Sequence, residues 1–189
     1  MLIEATDIPD VKHVVPKKFA DERGYFVEVF NKKIYESAGL DFTPVQENQS
    51  LSKIKGTVRG LHFQRAPFVQ TKLVRVLRGS IYDVAVDIRT GSATYGRWVG
   101  VELTATGGEQ LYIPGGFAHG FCTLQPDTEI AYLVNSSYSA ECDGGVLWND
   151  PMFGIPWPEF AGAVLSDKDR SAPRLGEIAS PFPVEDANT

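Results

Sequence analysis

A guanidinium and an imidazole lie three residues apart in the stretch 56–64, which carries Arg59 and His62. Arginine binds anions through a fork of donors, and histidine exchanges protons near neutral pH, so the pair suits an anionic ligand and acid–base chemistry. The surrounding apolar residues favour a β-strand. Strict alternation along a strand would place the two side chains on opposite faces, so a shared pocket requires Gly60 to break the period.

A second histidine follows a tight glycine turn in the stretch 113–121, where Gly115 and Gly116 precede His119. The chain has three histidines, and His13 has no comparable surroundings. A single histidine beside apolar residues is ordinarily structural, whereas two histidines beside glycine breaks are typical of a site. From the residues alone, both interpretations stay open.

Two carboxylates, Asp83 and Asp87, fall on one face of a predicted strand at 81–88. They could form an acid–base pair. The interpretation we favour makes them salt-bridge partners of nearby arginines, Arg75, Arg78 or Arg89.

Near the N-terminus, Glu28 lies between Phe26 and Phe30 on one face of a predicted strand that follows Arg23 and a glycine turn. One interpretation is a half-exposed edge strand with a solvated carboxylate. The other is a site in which a flat ring stacks on Phe26, Glu28 accepts a hydrogen bond from it and Arg23 meets an anion.

Strand-like runs dominate the chain and helical periodicity is nearly absent, so we predict an all-β sandwich, jelly roll or barrel. The runs are 13–19, 25–30, 45–54, 58–64, 72–77, 81–88, 98–103, 110–113, 119–124 and 129–134. The run at 45–54 is rich in amides and hydroxyls, which predicts either an exposed edge or the wall of a wet cavity. A short helix is expected at 32–38, and a loosely held tail from about residue 171, where prolines replace the pattern.

Composition limits the classes of function. The 189 residues carry a net charge of −6, which disfavours a nucleic-acid surface but leaves room for a local cation cluster around a small anion. The start of the chain lacks a basic and apolar leader, so no signal peptide is expected. Cys122 and Cys142 are therefore expected to be free thiols in a reducing cytoplasm.

Pro114, Gly116 and His119 have a spacing that resembles the second motif of the cupin superfamily, small jelly-roll barrels that often hold a metal. Metal-binding cupins usually have a His-x-His pair in the first motif, and here Gln64 stands at the second position of that pair. Two histidines and one carboxylate could still form an iron triad, so a metal-dependent oxygenase is one alternative.

Six motifs in order make the resemblance more specific. Together they closely resemble the dTDP-4-dehydrorhamnose 3,5-epimerase (RmlC) family over nearly the full length, and they occupy 21–24, 56–64, 83–89, 113–121, 147–151 and 165–169. The resemblance implies one domain over 1–189, a double-stranded β-helix jelly roll with a few short helices. It also implies a homodimer with strand exchange.

The activity that this family resemblance implies is metal-free and cofactor-free inversion of C3 and C5 in dTDP-4-dehydro-6-deoxy-D-glucose, on the route to dTDP-L-rhamnose and cell-surface polysaccharide. Both carbons flank the C4 ketone, so removing a proton leaves an enolate that can be reprotonated on the opposite face. Alternatives within the fold are single-centre epimerases and ketoisomerases of similar sugars. A non-catalytic sugar-nucleotide binder is a further alternative.

The family's functional residues correspond to positions in this chain. By resemblance, His62 is the base, Asp169 orients it, Tyr132 is the acid and Lys72 lies near the C4 oxygen. The resemblance further assigns substrate binding to Arg23, Phe26, Glu28, Gln46, Asn48, Arg59, His119, Tyr138, Asp143 and Lys168, with part of this set supplied by the partner subunit. The register leaves Glu141 as an alternative to Asp143.

Overall fold

The computed structural model describes residues 1–183 as two antiparallel β-sheets packed face to face. The strands are β1 Leu2–Ala5, β2 Lys12–Val15, β3 Lys18–Asp21, β4 Gly24–Val27, β5 Gln46–Ser52, β6 Val58–Gln64, β7 Lys72–Arg78, β8 Ser80–Asp87, β9 Arg89–Thr90, β10 Trp98–Thr104, β11 Gln110–Ile113, β12 Phe117–Thr123, β13 Thr128–Val134, β14 Asp143–Gly145 and β15 Phe182–Pro183. The short helices are α1 Lys32–Ser37, α2 Asp167–Arg170 and a 3₁₀ turn at Leu175–Glu177. This architecture confirms the predicted jelly roll with a few short helices.

The order of strands in the six-stranded sheet is β1-β2-β11-β7-β13-β5, and in the five-stranded sheet it is β10-β8-β12-β6-β14. Strands β3 and β4 form a separate hairpin, and β15 pairs with β9. Strand β5 therefore lies at an edge of the six-stranded sheet. The polar run at 45–54 is predicted to be either an exposed edge or the wall of a cavity. It is both, because β5 is an edge strand and also borders a cavity.

Alternation along the strands builds three apolar clusters. The central one lies between the sheets and includes Val74, Ile81, Leu103, Leu111 and Ile130, all at most 1% exposed. Burying side chains of this size contributes about 1.5–3 kcal/mol each relative to leaving them exposed. The sandwich therefore gives the residues that point into it a rigid frame.

The outer faces of the two sheets are also covered. Phe42 and Tyr35 of α1 pack on the six-stranded sheet, with their rings 6.2 Å apart. Asn31 caps α1 by accepting a hydrogen bond from the Lys33 backbone, which places the predicted helix where the pattern indicated. On the five-stranded sheet, Val84 and Leu61 are covered by the segment that follows β14.

Two features differ from the predicted pattern. The run at 13–19 is two strands, because Pro16 has no backbone N–H to continue the ladder. The run at 25–30 ends at Val27, and Phe30 turns inward to pack on Tyr35 with the rings 5.1 Å apart. Glu28 is therefore not held on one strand face between two aromatic rings.

The C-terminal segment is better anchored than the sequence predicts. Leu175 is 2% exposed and Phe182 is 9% exposed, and both belong to the cluster that covers the five-stranded sheet. The expectation of a loose tail from about residue 171 is therefore wrong for 171–183, because two apolar side chains find a place on the sheet. Residues 184–189 lie outside the described part of the chain.

The feature that positions the site is a bulge between β6 and β12. His62 pairs with His119 and Arg59 pairs with Phe121, so two residues of β6 face one residue of β12. Because directly paired residues share a face, the bulge puts Arg59 and His62 on the same side. A Cβ atom on Gly60, whose φ is +125°, would lie 2.4 Å from the Gly120 Cα atom. The predicted break of period at Gly60 is thus present.

We expect Gly60→Ala to destabilise the protein more than a glycine substitution that meets only backbone strain. The strain of a positive φ costs about 1–3 kcal/mol, and the clash with β12 adds about 1–3 kcal/mol of overpacking. Denaturant unfolding followed by tryptophan fluorescence measures both terms together.

The matched control is Gly24→Ala, since Gly24 has a φ of +129° but a Cβ atom there would meet nothing within 4 Å. A Gly60→Ala protein no less stable than Gly24→Ala would contradict the importance of close strand contact at the bulge.

Candidate active site

A cavity of about 480 Å³ opens between the two sheets. The five-stranded sheet supplies residues of β6 and β12, the six-stranded sheet supplies residues of β5, β7 and β13, and α2 closes one side. Its lining consists of Ser50, Thr57, Val58, Arg59, His62, Lys72, His119, Phe121, Tyr132, Val164, Leu165, Ser166 and Asp169. The structure therefore brings together the four catalytic candidates and two of the binding candidates.

His62 forms a hydrogen-bonded pair with Asp169. Its Nε2 atom lies 2.5 Å from Oδ1 of Asp169, a residue 107 positions away in sequence. Ser166 caps α2 by accepting a hydrogen bond from the Asp169 backbone at 3.1 Å, which fixes the position of the carboxylate. The arrangement matches a base and the residue that orients it.

The Asp169 carboxylate is 3% exposed. Burial acts to raise its pKa, but hydrogen bonds from His62, Ser166 and the Gly60 backbone outweigh burial and leave the pKa below its ordinary value. Asp169 is therefore ionised at neutral pH and can stabilise a protonated imidazole.

Lys72 is a buried cation on the opposite sheet. The side chain is 7% exposed and Nζ donates a hydrogen bond to the His62 carbonyl oxygen at 3.3 Å. Burial lowers its pKa to about 8, opposed by the charges of Asp83 and Asp143 and assisted by Lys168. A cation with little competing water is suited to stabilise an oxyanion.

His119 is the second imidazole of the cavity and is paired with Asp83, with 2.7 Å between Nε2 and Oδ1. The pKa of His119 lies below its ordinary value because burial outweighs the nearby carboxylate, so the ring is neutral. Both histidines therefore line one cavity, and each ring is hydrogen-bonded to its own carboxylate. This arrangement supports the functional interpretation of the two histidines.

The prediction of an arginine partner is wrong for Asp83 and confirmed for Asp87. Asp87 accepts hydrogen bonds from Arg89 at 2.9 and 2.7 Å. Asp83 instead points between the sheets, where it meets His119, while Arg75 lies toward solvent beside Glu47 at 3.3 Å. Alternation identified the face correctly, but the partner comes from β12, the neighbouring strand of the same sheet, which alternation along β8 does not specify.

Tyr132 stands on the wall opposite His62, since Tyr132 belongs to β13 in the six-stranded sheet and His62 to β6 in the five-stranded sheet. Burial raises the pKa of its hydroxyl, which keeps the group protonated near neutral pH. An imidazole and a protonated phenol therefore face one space from two sides.

Arg59 lies at the mouth of the cavity. Its Nε atom donates to Ser52 Oγ at 3.1 Å, and Nη2 donates to the Leu51 carbonyl at 3.2 Å. These bonds to β5 leave the remaining donors of the exposed guanidinium for an anion.

A second cavity of about 260 Å³ adjoins the first, since both are lined by His62, Lys72 and Tyr132. Binding candidates among its other lining residues are Gln46, Asn48, Tyr138, Asp143 and Lys168. Together the two cavities make one elongated cleft, with chemistry-bearing groups at one end and amides, a phenol and a charged pair at the other.

The polar end of this cleft is internally connected. Gln46 donates to Asn48 at 2.7 Å and accepts from the Tyr138 backbone at 3.1 Å. Asp143 forms a salt bridge with Lys168 and accepts from the Tyr138 hydroxyl at 3.4 Å. Of the two carboxylates left open by register, Asp143 lines this cleft.

Three binding candidates lie away from the cleft. The hairpin of β3 and β4 carries Arg23, which pairs with Asp21 at 2.5 Å, and Phe26, which is 70% exposed. Glu28 follows the hairpin and is exposed. A shallow depression on the hairpin shares no lining residue with the cleft. A single chain thus leaves these residues outside its own site.

Sequence reasoning missed the residues that hold others in place. Ser52 fixes Arg59, Ser166 fixes α2, and Asp83 fixes His119. A serine directly before Asp-Lys-Asp is a helix-cap signal that could have identified α2. The pairing of Asp83 had no comparable local signal.

A larger cavity, of about 790 Å³, lies elsewhere and is bordered by Lys12, Arg89 and several prolines. The Arg89 guanidinium is bound by Asp10 and Asp87, and no histidine lines this cavity.

Within residues 1–183, no group of three or more histidine, cysteine or acidic side chains is arranged to hold a metal ion. In the same part of the chain, no helix has the length and apolarity needed to span a membrane.

Comparisons with known proteins agree with this geometry. The family model for dTDP-4-dehydrorhamnose 3,5-epimerase matches residues 5–177. A dTDP-4-dehydrorhamnose 3,5-epimerase of Sinorhizobium fredii (strain NBRC 101917 / NGR234) is 53% identical over 182 residues, which cover 96% of this chain and 93% of the relative.

Two crystal structures have the same fold. The dTDP-4-dehydrorhamnose 3,5-epimerase of Bacillus anthracis str. Ames, with TDP and PPi bound, has a TM-score of 0.88 at 49% identity and covers 92% of this chain and 98% of its own. The dTDP-6-deoxy-D-glucose-3,5-epimerase of Legionella pneumophila Philadelphia 1, in complex with dTDP-4-keto-L-rhamnose, has a TM-score of 0.91 at 43% identity and covers 96% and 97%. This chain belongs to the dTDP-4-dehydrorhamnose 3,5-epimerase family.

Proposed function

We propose that this chain inverts C3 and C5 of dTDP-4-dehydro-6-deoxy-D-glucose, the 3,5-epimerase reaction of dTDP-L-rhamnose biosynthesis, with His62 as the base and Tyr132 as the acid. The observation that carries these roles is that the two side chains open into one cavity from opposite sheets. Inversion at carbon needs a base on one face of the sugar and an acid on the other.

Each inversion is balanced by proton transfers alone. His62 takes the proton from the carbon next to the C4 ketone, and the electron pair moves to the C4 oxygen as an enolate. Tyr132 gives its proton to the opposite face of that carbon as the ketone returns. The pair then exchanges protons with water before the second carbon reacts. No electron is gained or lost, so we propose no cofactor.

Lys72 and Asp169 support this transfer. The ammonium of Lys72 stabilises the enolate oxygen, and the Asp169 carboxylate stabilises the imidazolium that forms when His62 takes a proton. General acid–base groups of this kind contribute about 10²–10⁴-fold to a rate.

The polar end of the cleft is proposed to hold the nucleoside, and the mouth of the larger cavity of the cleft, where Arg59 lies, the diphosphate. Arg59 suits the diphosphate because its free donors form a fork. Tyr138, Gln46 and Asn48 offer a ring and amides to a thymine, with Asp143 and Lys168 beside them, while His119 contacts the sugar.

A homodimer that exchanges its hairpin would complete the site. Strand β5 has a free edge beside the cleft, and the hairpin exposes Phe19, Tyr25 and Phe26, which are 54%, 61% and 70% exposed. Free strand edges and clustered exposed rings are typical of surfaces that pair with another chain. We therefore propose that Arg23, Phe26 and Glu28 serve the partner's site.

Both cysteines are free thiols, which supports a cytoplasmic location.

Isotope exchange tests the proposed activity. We expect the protein, incubated with the 4-keto sugar nucleotide in D₂O, to place deuterium at both C3 and C5, as measured by NMR, and to keep this activity in a metal chelator. Label at one carbon would make it a single-centre epimerase, migration of the ketone would make it a ketoisomerase, and no label would leave a binding protein. Loss of activity on chelation would favour a metal-dependent cupin.

Separate substitutions distinguish base from acid. Tyr132→Phe is expected to slow inversion by about 10²–10⁴-fold while exchange continues, because His62 can still remove a proton and return a deuteron to the same face. His62→Ala is expected to lose exchange and inversion together, with the protein still folded. The matched control is Tyr35→Phe in α1, which removes a buried hydroxyl that has no hydrogen-bond partner among residues 1–183. Exchange lost equally in both site variants would contradict the assignment of roles.

Mixing two inactive variants tests the dimer. A Phe26→Ala/Arg23→Ala protein keeps its cavity, and a His62→Ala protein keeps its hairpin. If the hairpin acts on the partner's site, unfolding and refolding the two together restores about a quarter of wild-type activity, since half of the dimers are mixed and each mixed dimer has one intact site. No recovery, together with a monomeric mass by light scattering, would contradict hairpin exchange.

A further inference from the structure

A carboxylate is enclosed in the middle of the sandwich. Asp83 lies on β8 between Ile81 and Ala85, which point into the central cluster, and its exposure is 0%. One oxygen accepts a hydrogen bond from His119, and among the described residues the other oxygen, Oδ2, has no hydrogen-bond partner. A buried charge with an unbonded oxygen is unfavourable unless a nearby cation compensates it.

Lys72 is the buried cation near this carboxylate. Asp83 is the strongest influence that raises the lysine pKa against burial, ahead of Asp143, while Lys168 acts in the opposite direction. The other titratable or charged side chains that face the same space are those of Arg59, His62, His119, Tyr132 and Asp169. The pKa of Lys72 is about 8, and removing the negative charge of Asp83 would lower it further, so that a smaller fraction of Lys72 is charged at physiological pH.

The same carboxylate decides which nitrogen of His119 carries the proton. An ionised carboxylate only accepts hydrogen bonds, so Nε2 of His119 must be the donor at 2.7 Å. The ring is neutral, and Nδ1 is left as an acceptor. A hydroxyl of the sugar then finds an acceptor whose direction is set before it binds.

We propose that Asp83 is a positioning residue for the epimerisation: it holds Lys72 charged and His119 in the Nε2–H form, so that the cavity offers the sugar one cation and one acceptor. The inference rests on the role proposed above for Lys72 and adds a residue to it. The alternative is that Asp83 only ties β8 to β12.

Asp87 provides a matched comparison for this alternative. It lies four residues further on the same face of β8 and is also 0% exposed, but its carboxylate is bound by Arg89, Ser92 and Thr94 outside the cleft. Removing either charge disturbs a buried hydrogen-bond network in β8. Only the loss at Asp83 alters the charge next to Lys72.

The test compares the pH dependence of kcat/KM in wild type, Asp83→Asn and Asp87→Asn. Lys72 must be protonated to stabilise the enolate, so wild-type activity is expected to fall as pH rises through about 8. In Asp83→Asn this basic limb is expected to move to lower pH by about one unit, with kcat at pH 8 reduced more than KM is raised. Asp87→Asn should keep the wild-type limb, even if it is less stable. A limb in Asp83→Asn that coincides with wild type would overturn the proposal.

If Asp83→Asn does not fold, two measurements on the wild type decide. NMR of protein labelled at lysine Cε should show one lysine titrating near 8 that is absent from Lys72→Met, and ¹⁵N NMR should show the proton of His119 on Nε2. An ordinary titration of Lys72, or a proton on Nδ1, would overturn the proposal. Failure of the epimerase proposal is distinct, because it appears as wild-type protein that exchanges neither carbon in D₂O.

Discussion

The close approach of β6 and β12 is the constraint on which the site depends. A Cβ atom on Gly60 would lie 2.4 Å from the Gly120 Cα atom and 2.7 Å from the His119 carbonyl oxygen, so the strands can come this close at the bulge only because Gly60 and Gly120 have no side chains. The bulge that results turns Arg59 and His62 toward the same cavity while Leu61 packs on the outer face. In a regular strand, either the guanidinium or the imidazole would face that outer apolar cluster.

The two-sheet architecture then separates the proposed acid from the proposed base. His62 belongs to one sheet and Tyr132 to the other, and the central apolar cluster packs between the two sheets. Burial makes the charges inside this space effective, since ions interact more strongly away from water. Burial also makes an unpaired charge unfavourable, and each buried carboxylate accordingly has a partner. Asp169 pairs with His62, and Asp83 pairs with His119 and lies near Lys72.

The parts of this arrangement that depend on local physics could be predicted from the sequence. The break at Gly60 follows from the spacing of Arg59 and His62 if the two share a pocket. The many short strands predict an all-β sandwich, jelly roll or barrel, and the family resemblance selects the jelly roll. Contacts between distant elements could not be predicted in this way: Asp169 reaches His62 across 107 residues, and the motif resemblance alone suggested it. The partner of Asp83 was missed because alternation specifies a face and not which strand lies beside it. The anchoring of Leu175 was missed because alternation does not specify what covers a face.

The central claim is that a hexose lies between His62 and Tyr132. A crystal structure of this protein soaked with dTDP-4-keto-L-rhamnose, the ligand named for the Legionella pneumophila structure, tests it most directly. We predict the imidazole of His62 and the hydroxyl of Tyr132 on opposite faces of the ring, with Lys72 Nζ at the C4 oxygen. A sugar bound with both groups on one face, or bound outside this cavity, would contradict the account.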